Sequence, residues 1–256
     1  MSAIVVIPAR YASTRFPGKP LALLKGIPVI QHVYQNSLQA KRASEVIVAT
    51  DSETIFERVL SFGGRAVMTS PDHASGTDRI AEAARSFDYD IIVNVQGDEP
   101  LTRPQMIDDV IAVLDDKKAS IGTLAKKIID RREIFDPNVV KVVFDEKGFA
   151  FYFSRAPVPY HRDLFGSTAQ PFGSMDFGTS GLFMFKHIGI YSYRKDVLAT
   201  LSGLSPSRLE LIEMLEQLRA VENGFLIKVK ETFSETFGVD TPEDLERIEK
   251  CLNSSL

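Results

Sequence analysis

Four short stretches of this chain carry residue types that could do chemistry. The first reads Pro8-Ala9-Arg10-Tyr11-Ala12-Ser13-Thr14-Arg15-Phe16-Pro17-Gly18-Lys19-Pro20 and directly follows an apolar run. Three cations among small hydroxyl residues and a glycine suit a triphosphate, because backbone N–H groups can approach the oxygens while the side chains neutralise them. It is not a Walker loop: Gly-Lys-Ser/Thr is absent and Lys19 is followed by Pro20. A solvated basic loop would have the same composition. The second stretch, Gln96-Gly97-Asp98-Glu99-Pro100, puts two carboxylates just past another apolar run. Asp98 there could hold a hard cation such as Mg²⁺, with Glu99 behind it, or both acids could simply favour the start of the following helix. The third is Asp240 in Val239-Asp240-Thr241-Pro242-Glu243-Asp244. Read locally it is a helix N-cap; read functionally it reaches a metal shared with Asp98.

The fourth lies in the second half. His187 and Tyr191 are four apart on an expected strand and point to one face. Glu213, Glu216 and Gln217 fall at i, i+3 and i+4 of an expected helix over 207–222, as a polar stripe opposite Leu211, Met214, Leu215 and Leu218. A solvated helix face and an ordinary histidine are the plainer readings of these positions.

The elements that must position these residues follow from periodicity. Apolar runs at 3–7, 45–49, 65–68 and 91–95 alternate with amphipathic stretches at 29–41, 53–62 and 78–87. That alternation predicts βαβ units around a mostly parallel sheet with helices on both faces, and ligands beyond the carboxyl ends of its strands. Residues 139–144 and 149–153 flank Asp145-Glu146-Lys147-Gly148 and read as a β-hairpin. Residues 156–181, rich in Pro, Gly, Ser and Phe, read as a long excursion whose Phe165, Phe172 and Phe177 pack on something, a second subunit included. A strand at 188–193, the helix at 207–222, a strand at 225–229 and a helix at 242–251, capped by Asp240 or Thr241, close the chain. The expectation is a single α/β domain over 1–256, with a nucleotide-binding half (1–135) and a second half (136–256).

Composition narrows the classes. A net charge of −4 over 256 residues argues against sequence-independent nucleic-acid binding. With Cys251 the single cysteine, an intramolecular disulfide and a multi-cysteine metal site are excluded. The apolar run at the N-terminus is too short for a signal peptide and no stretch approaches a membrane span, so a cytoplasmic protein without membrane insertion is expected.

Taken together, the segments 7–20, 48–51, 75–79, 94–100, 152–155, 187–191, 213–219 and 239–245 resemble, in order and along nearly the whole chain, the nucleotidyltransferases that activate sugar acids with CTP, most closely the 3-deoxy-manno-octulosonate cytidylyltransferases. The resemblance implies a Rossmann-like nucleotide-diphospho-sugar transferase fold and transfer of CMP from CTP to the sugar's anomeric hydroxyl, for lipopolysaccharide synthesis. It implies that Arg10 and Lys19 hold the triphosphate, with Ser13, and that Gly76, Arg79 and Gln96 surround cytosine and ribose. Asp98 and Asp240 would bind Mg²⁺ at the α-phosphate. Arg155, His187, Tyr191, Glu216 and Gln217 would face the octulosonate, and the protein would be a homodimer. Residues 166–186 form a longer segment than the family's. Competing readings are transfer to an 8-amino analogue or a sialic acid, and a nucleotide-binding regulator without the reaction.

Overall fold

The structure is a computed structural model that describes residues 1–12, 15–73, 75–162 and 183–254. Strands β1 (Ala3–Ala9), β4 (Glu45–Thr50), β5 (Ala66–Met68) and β6 (Ile91–Asn94) are mutually parallel, with β1 between β4 and β6. β1 is buried on both faces, and its alternation divides the core in two. Ala3, Val5, Ile7 and Ala9 face a layer containing α1 (Val29–Ser37), α2 (Glu53–Ser61) and α4 (Pro104–Val113). Ile4 and Val6 face the opposite layer, with α3 (Gly76–Ala84) and a later helix, α6 (Lys195–Ser202). Each such fully buried Val or Ile contributes about 1.5–3 kcal/mol relative to exposure. The central strands therefore form a rigid floor from which the loops after β1 and β6 project side by side.

Strands β2 (Leu23–Leu24) and β3 (Ile27–Pro28) pair with each other apart from the main sheet. Among the described residues that sheet has nine strands, in the order β11 (Ile227–Glu231), β7 (Ile121–Lys127), β10 (Phe185–Arg194), β6, β1, β4, β5, with β8 (Lys141–Phe144) paired to β10 and β9 (Ala150–Ser154) to β8. β10 runs antiparallel to both β6 and β7, and β11 is parallel to β7. Along this path β10 alone runs against the parallel strands, and it carries His187 and Tyr191 to the edge of the nucleotide-binding half. The expected hairpin is β8 and β9. Its turn is closed by Asp145, whose Oδ1 accepts from the Lys147 and Phe149 amides, and by Gly148 at φ 87°.

Several boundaries differ from the sequence reading. α1 ends at Ser37, α3 starts at Gly76 under a Ser75 cap, and β7, α4, the short α5 (Arg132–Phe135) and α6 have no counterpart in the sequence reading. The main correction concerns 207–222. Instead of one helix there are two, α7 (Arg208–Glu213) and α8 (Gln217–Glu222), separated by Met214 at φ 53°. The break has a partner: the Arg155 guanidinium donates to the carbonyls of Glu213 (2.8 Å) and Met214 (3.3 Å). Those carbonyls at the end of α7 take an arginine instead of the next helical turn. Leu211 and Met214 are consequently 61% and 74% exposed, while Leu215 and Leu218 stay buried, so the expected two-sided stripe does not form.

Candidate active site

The loop after β1 is shaped before it is charged. The Gly18 amide donates to the Tyr11 carbonyl (2.9 Å), and Gly18, at φ 71°, opens the 3-10 turn Lys19–Leu21. A side chain there would be strained in φ and would press on the Tyr11 ring, so glycine sets the direction in which Lys19 leaves the loop. The Lys19 ammonium donates to an oxygen of Asp98 and to Oδ1 of Asp240 (3.2 Å). Arg15 reaches the other oxygen of Asp240 at 3.1 Å. Burial works to lower the Lys19 pKa, but the two carboxylates outweigh it and raise it above the ordinary value.

Asp98 and Asp240 arrive from distant parts of the chain. Asp98 follows Gly97, where an added Cβ would stand 2.7 Å from the Pro8 carbonyl, so the close approach of the loops after β1 and β6 needs a glycine. The Val239 amide donates to the Asp98 carbonyl (2.8 Å) and ties the two acidic segments together. The cap of the last helix, α9 (Pro242–Ser254), is Thr241: its Oγ1 accepts from the Asp244 amide (3.2 Å), and Asp244 Oδ2 accepts from the Thr241 amide (3.1 Å). This reciprocal cap releases the Asp240 carboxylate from the local role its sequence suggested. Beside them Glu99 is pushed up to about 7 by burial and by the adjacent Asp98 charge.

These residues border a cavity of about 670 Å³ whose walls include Arg10, Arg15, Lys19, His73, Gly76, Arg79, Gln96, Asp98 and Asp240. Arg79 is buried (4% exposed) and anchored by Asp51 Oδ2 at 2.8 Å and by the Thr69 hydroxyl. His73 pairs with Glu82, and this hydrogen bond, first among the causes, holds the Glu82 carboxyl below its usual range. The cavity therefore has a cationic rim, a buried guanidinium at its back and a carboxylate pair at one side. That pair already shares one cation, the Lys19 ammonium. Among the described residues no cluster of three or more His, Cys, Asp or Glu could hold a metal. Two carboxylates with the remaining positions left to water and phosphate oxygens suit Mg²⁺, which keeps part of its water shell.

A second chamber of about 240 Å³ adjoins the first and shares Gly76 and Gln96 with it. Thr77, Asn94, Tyr191, Tyr193, Glu216 and Gln217 are among its walls. Burial raises the pKa of Glu216, and burial together with neighbouring charge raises those of Tyr191 and Tyr193, so both phenols stay protonated. His187 stands one step further out. Its ring packs against Tyr191 and edge-on to Phe153 (centroids 5.3 and 5.1 Å), and Nε2 lies 2.9 Å from the Thr123 hydroxyl. Burial pushes the imidazole down to about 3, so it is neutral.

The fold thus brings Arg10, Lys19, Gly76, Arg79, Gln96, Asp98 and Asp240 to one cavity and Tyr191, Glu216 and Gln217 to the next, with His187 behind Tyr191. Arg155 is not brought to either wall: it is spent on the carbonyls of Pro137, Glu213 and Met214. Ser13, with Thr14, lies outside the described residues, as do residues 163–182, which hold Phe165, Phe172, Phe177 and most of the excursion. Sequence reasoning counted Arg15 only as one of three loop cations, left Ser75, Thr77, Asn94 and Asp51 without individual roles inside their motifs, and missed His73 and Tyr193. Ser75-Gly76-Thr77-Asp78 carried a usable signal, since a serine three residues before an acid marks a helix start.

A family profile described as cytidylyltransferase matches residues 4–233. A 3-deoxy-manno-octulosonate cytidylyltransferase of Thermodesulfovibrio yellowstonii is 53% identical, with 99% of each chain covered. The enzyme of that name from Geobacter sulfurreducens is 50% identical over 97% of this chain and 98% of its own. Among solved structures, a CMP:2-keto-3-deoxy-manno-octonic acid synthetase complexed with CTP superposes with a TM-score of 0.90 at 41% identity over the full length of both chains. A cytidylyltransferase from Leptospira borgpetersenii shares the fold at 17% identity and a TM-score of 0.62, covering 100% of this chain and 88% of its own. No helix among the described residues is long and apolar enough to cross a membrane. On the family profile and the full-length relatives, the chain belongs to the cytidylyltransferases, and within them to the 3-deoxy-manno-octulosonate cytidylyltransferase family.

Proposed function

We propose that this protein transfers CMP from CTP to the anomeric hydroxyl of 3-deoxy-D-manno-octulosonate and releases pyrophosphate. The observation that carries the reading is the convergence of Asp98 and Asp240 on one cation at the side of an arginine- and lysine-rimmed cavity, next to a smaller polar chamber. In this reading the triphosphate lies against Arg10, Lys19 and Arg15, and Arg79, Gln96 and Gly76 face the base and ribose. The sugar acid enters the chamber of Tyr191, Glu216 and Gln217, with His187 supporting Tyr191.

Nucleotidyl transfer asks little covalent chemistry of a protein, so rate comes from in-line placement and charge neutralisation. The two chambers share Gly76 and Gln96, and in this reading the hydroxyl approaches the α-phosphorus across that wall, opposite the leaving pyrophosphate. Lys19 and Arg10 offset the charge that builds on the α-phosphate and leaving group. Asp98 and Asp240 would hold Mg²⁺, which when bound supplies Lewis acidity at the α-phosphate and lowers the pKa of the attacking hydroxyl. A cytoplasmic homodimer supplying CMP-activated sugar for lipopolysaccharide assembly completes the proposal.

The test is pyrophosphate release on mixing the protein with CTP, Mg²⁺ and a sugar acid, with 8-amino-octulosonate and sialic acid as comparison acceptors. Release is expected with the octulosonate and to fall by orders of magnitude in Asp98→Asn, while the fold survives. Wild-type turnover in that variant would remove Asp98 from the mechanism, and equal turnover with sialic acid would overturn the acceptor assignment.

A further inference from the structure

Ser75 stands at the wall between the two chambers. It lines the larger cavity and caps α3, its Oγ accepting from the Asp78 amide at 3.1 Å. The single proton of that hydroxyl points the other way, to Oε1 of Glu216 at 3.2 Å, across 141 residues of chain. Glu216 lines the smaller chamber as the N-cap residue of α8, two positions after the break at Met214, with no side-chain cap bond of its own to fix its carboxylate. Thr77, buried two residues further along α3, is a second hydrogen-bonding neighbour of the same carboxylate. The first turns of α3 therefore present Arg79 to one chamber and Gly76 to both, and through Ser75 hold an acid of the other.

We propose that Ser75 is a positioning residue for Glu216, fixing the carboxylate that meets the hydroxyls of the acceptor to the helix start that forms the nucleotide wall. The inference rests on the reading that the smaller chamber takes the sugar acid. Acceptor binding and nucleotide binding are then linked through one short, rigid element, and a hydroxyl that touches no part of the acceptor governs its capture. A hydrogen bond to a carboxylate that must also serve a ligand is the kind whose loss is felt in affinity first.

The experiment measures kcat and KM for both substrates in wild type, Ser75→Ala, Ser75→Thr, Glu216→Ala and the double variant Ser75→Ala/Glu216→Ala. Ser75→Ala is expected to raise KM for the sugar acid by about tenfold, with a change of no more than about twofold to threefold for CTP. Ser75→Thr, which keeps both hydrogen bonds, is expected to restore it. In the Glu216→Ala background the same Ser75 substitution should change kcat/KM for the acid by less than about twofold, because its partner is already gone. An unchanged acid KM in Ser75→Ala, or full multiplication of the two effects as for a plain helix cap, would overturn the proposal. Failure of the wild-type chain to form any CMP-linked product would instead remove the functional reading and this inference with it.

Discussion

The Val239 amide donates to the Asp98 carbonyl at 2.8 Å, and this one main-chain bond sets the residue before Asp240 against the residue that carries the other acid. Side-chain convergence at the site therefore rests on backbone, which has fewer ways to relax than two flexible carboxylates. Glycine on one side and a helix cap on the other protect that bond, and each can be tested separately.

Gly97→Ala should be more damaging than its size suggests. The new methyl would meet the Pro8 carbonyl on β1 at 2.7 Å and the side chain of Ile30, fully buried on α1, at 3.3 Å. We expect a loss of about 1–3 kcal/mol in a denaturant titration, the usual cost of overpacking, together with reduced turnover as Asp98 is pushed out of line. Unchanged stability would show that the loops after β1 and β6 do not need this approach.

Asp244→Ala tests the cap that releases Asp240. Asp244 Oδ2 accepts from the amides of Asp240 (3.2 Å) and Thr241 (3.1 Å). Its removal is expected to cost about 1 kcal/mol in stability. It should also raise KM for CTP, because the Asp240 and Thr241 amides lose their shared acceptor and the segment that carries the Asp240 carboxylate loosens. A stability loss with no kinetic change would show that Asp240 is held by Lys19 and Arg15 alone.

His187 gives a pH dependence with a definite sign. Its folded pKa, pushed down to about 3, lies below the ordinary 6.5, so the folded state binds fewer protons than the unfolded chain. Stability from this group is complete above about pH 6.5 and is lost as the pH falls towards 3, at up to about 1.4 kcal/mol per pH unit. Glu99, raised to about 7 from 4.5, titrates in the opposite sense, so the readout is the difference between wild type and His187→Asn. Denaturant midpoints at pH 5 and pH 7.5 should separate the two proteins, the wild type losing more on acidification. Parallel profiles would place His187 in contact with water and unperturbed.

Much of the nucleotide-binding half was legible because β1, β4 and β6 are buried on both faces and read as unbroken apolar runs between amphipathic helices. The hairpin was legible from Asp145 and Gly148. The 207–222 region was not, since Glu213-Met214-Leu215-Glu216 has good local helix propensity and the break comes from Arg155, some sixty residues away. Arg155 was ambiguous in the sequence, since a cation at a motif's end reads identically whether it serves an anion or a helix terminus, and here its guanidinium lies on the carbonyls of Pro137, Glu213 and Met214. β7, with Gly122 and two lysines in seven residues, has too weak a pattern to be found alone; β10 and β11 on either side of it supply its order. Asp240 was ambiguous for a different reason. Thr241 beside it could take the cap, and the choice depends on Lys19 and Arg15, which are more than two hundred residues away.

The central claim is that Asp98 and Asp240 share one divalent ion beside the triphosphate. A crystal grown with CTP and Mn²⁺ in place of Mg²⁺ tests it directly through anomalous scattering. The account expects a peak with one oxygen from each carboxylate at roughly 2.0–2.2 Å, Lys19 having given up its place between them for a phosphate oxygen. A metal bound by triphosphate oxygens alone, with Lys19 still bridging the two acids, would contradict it.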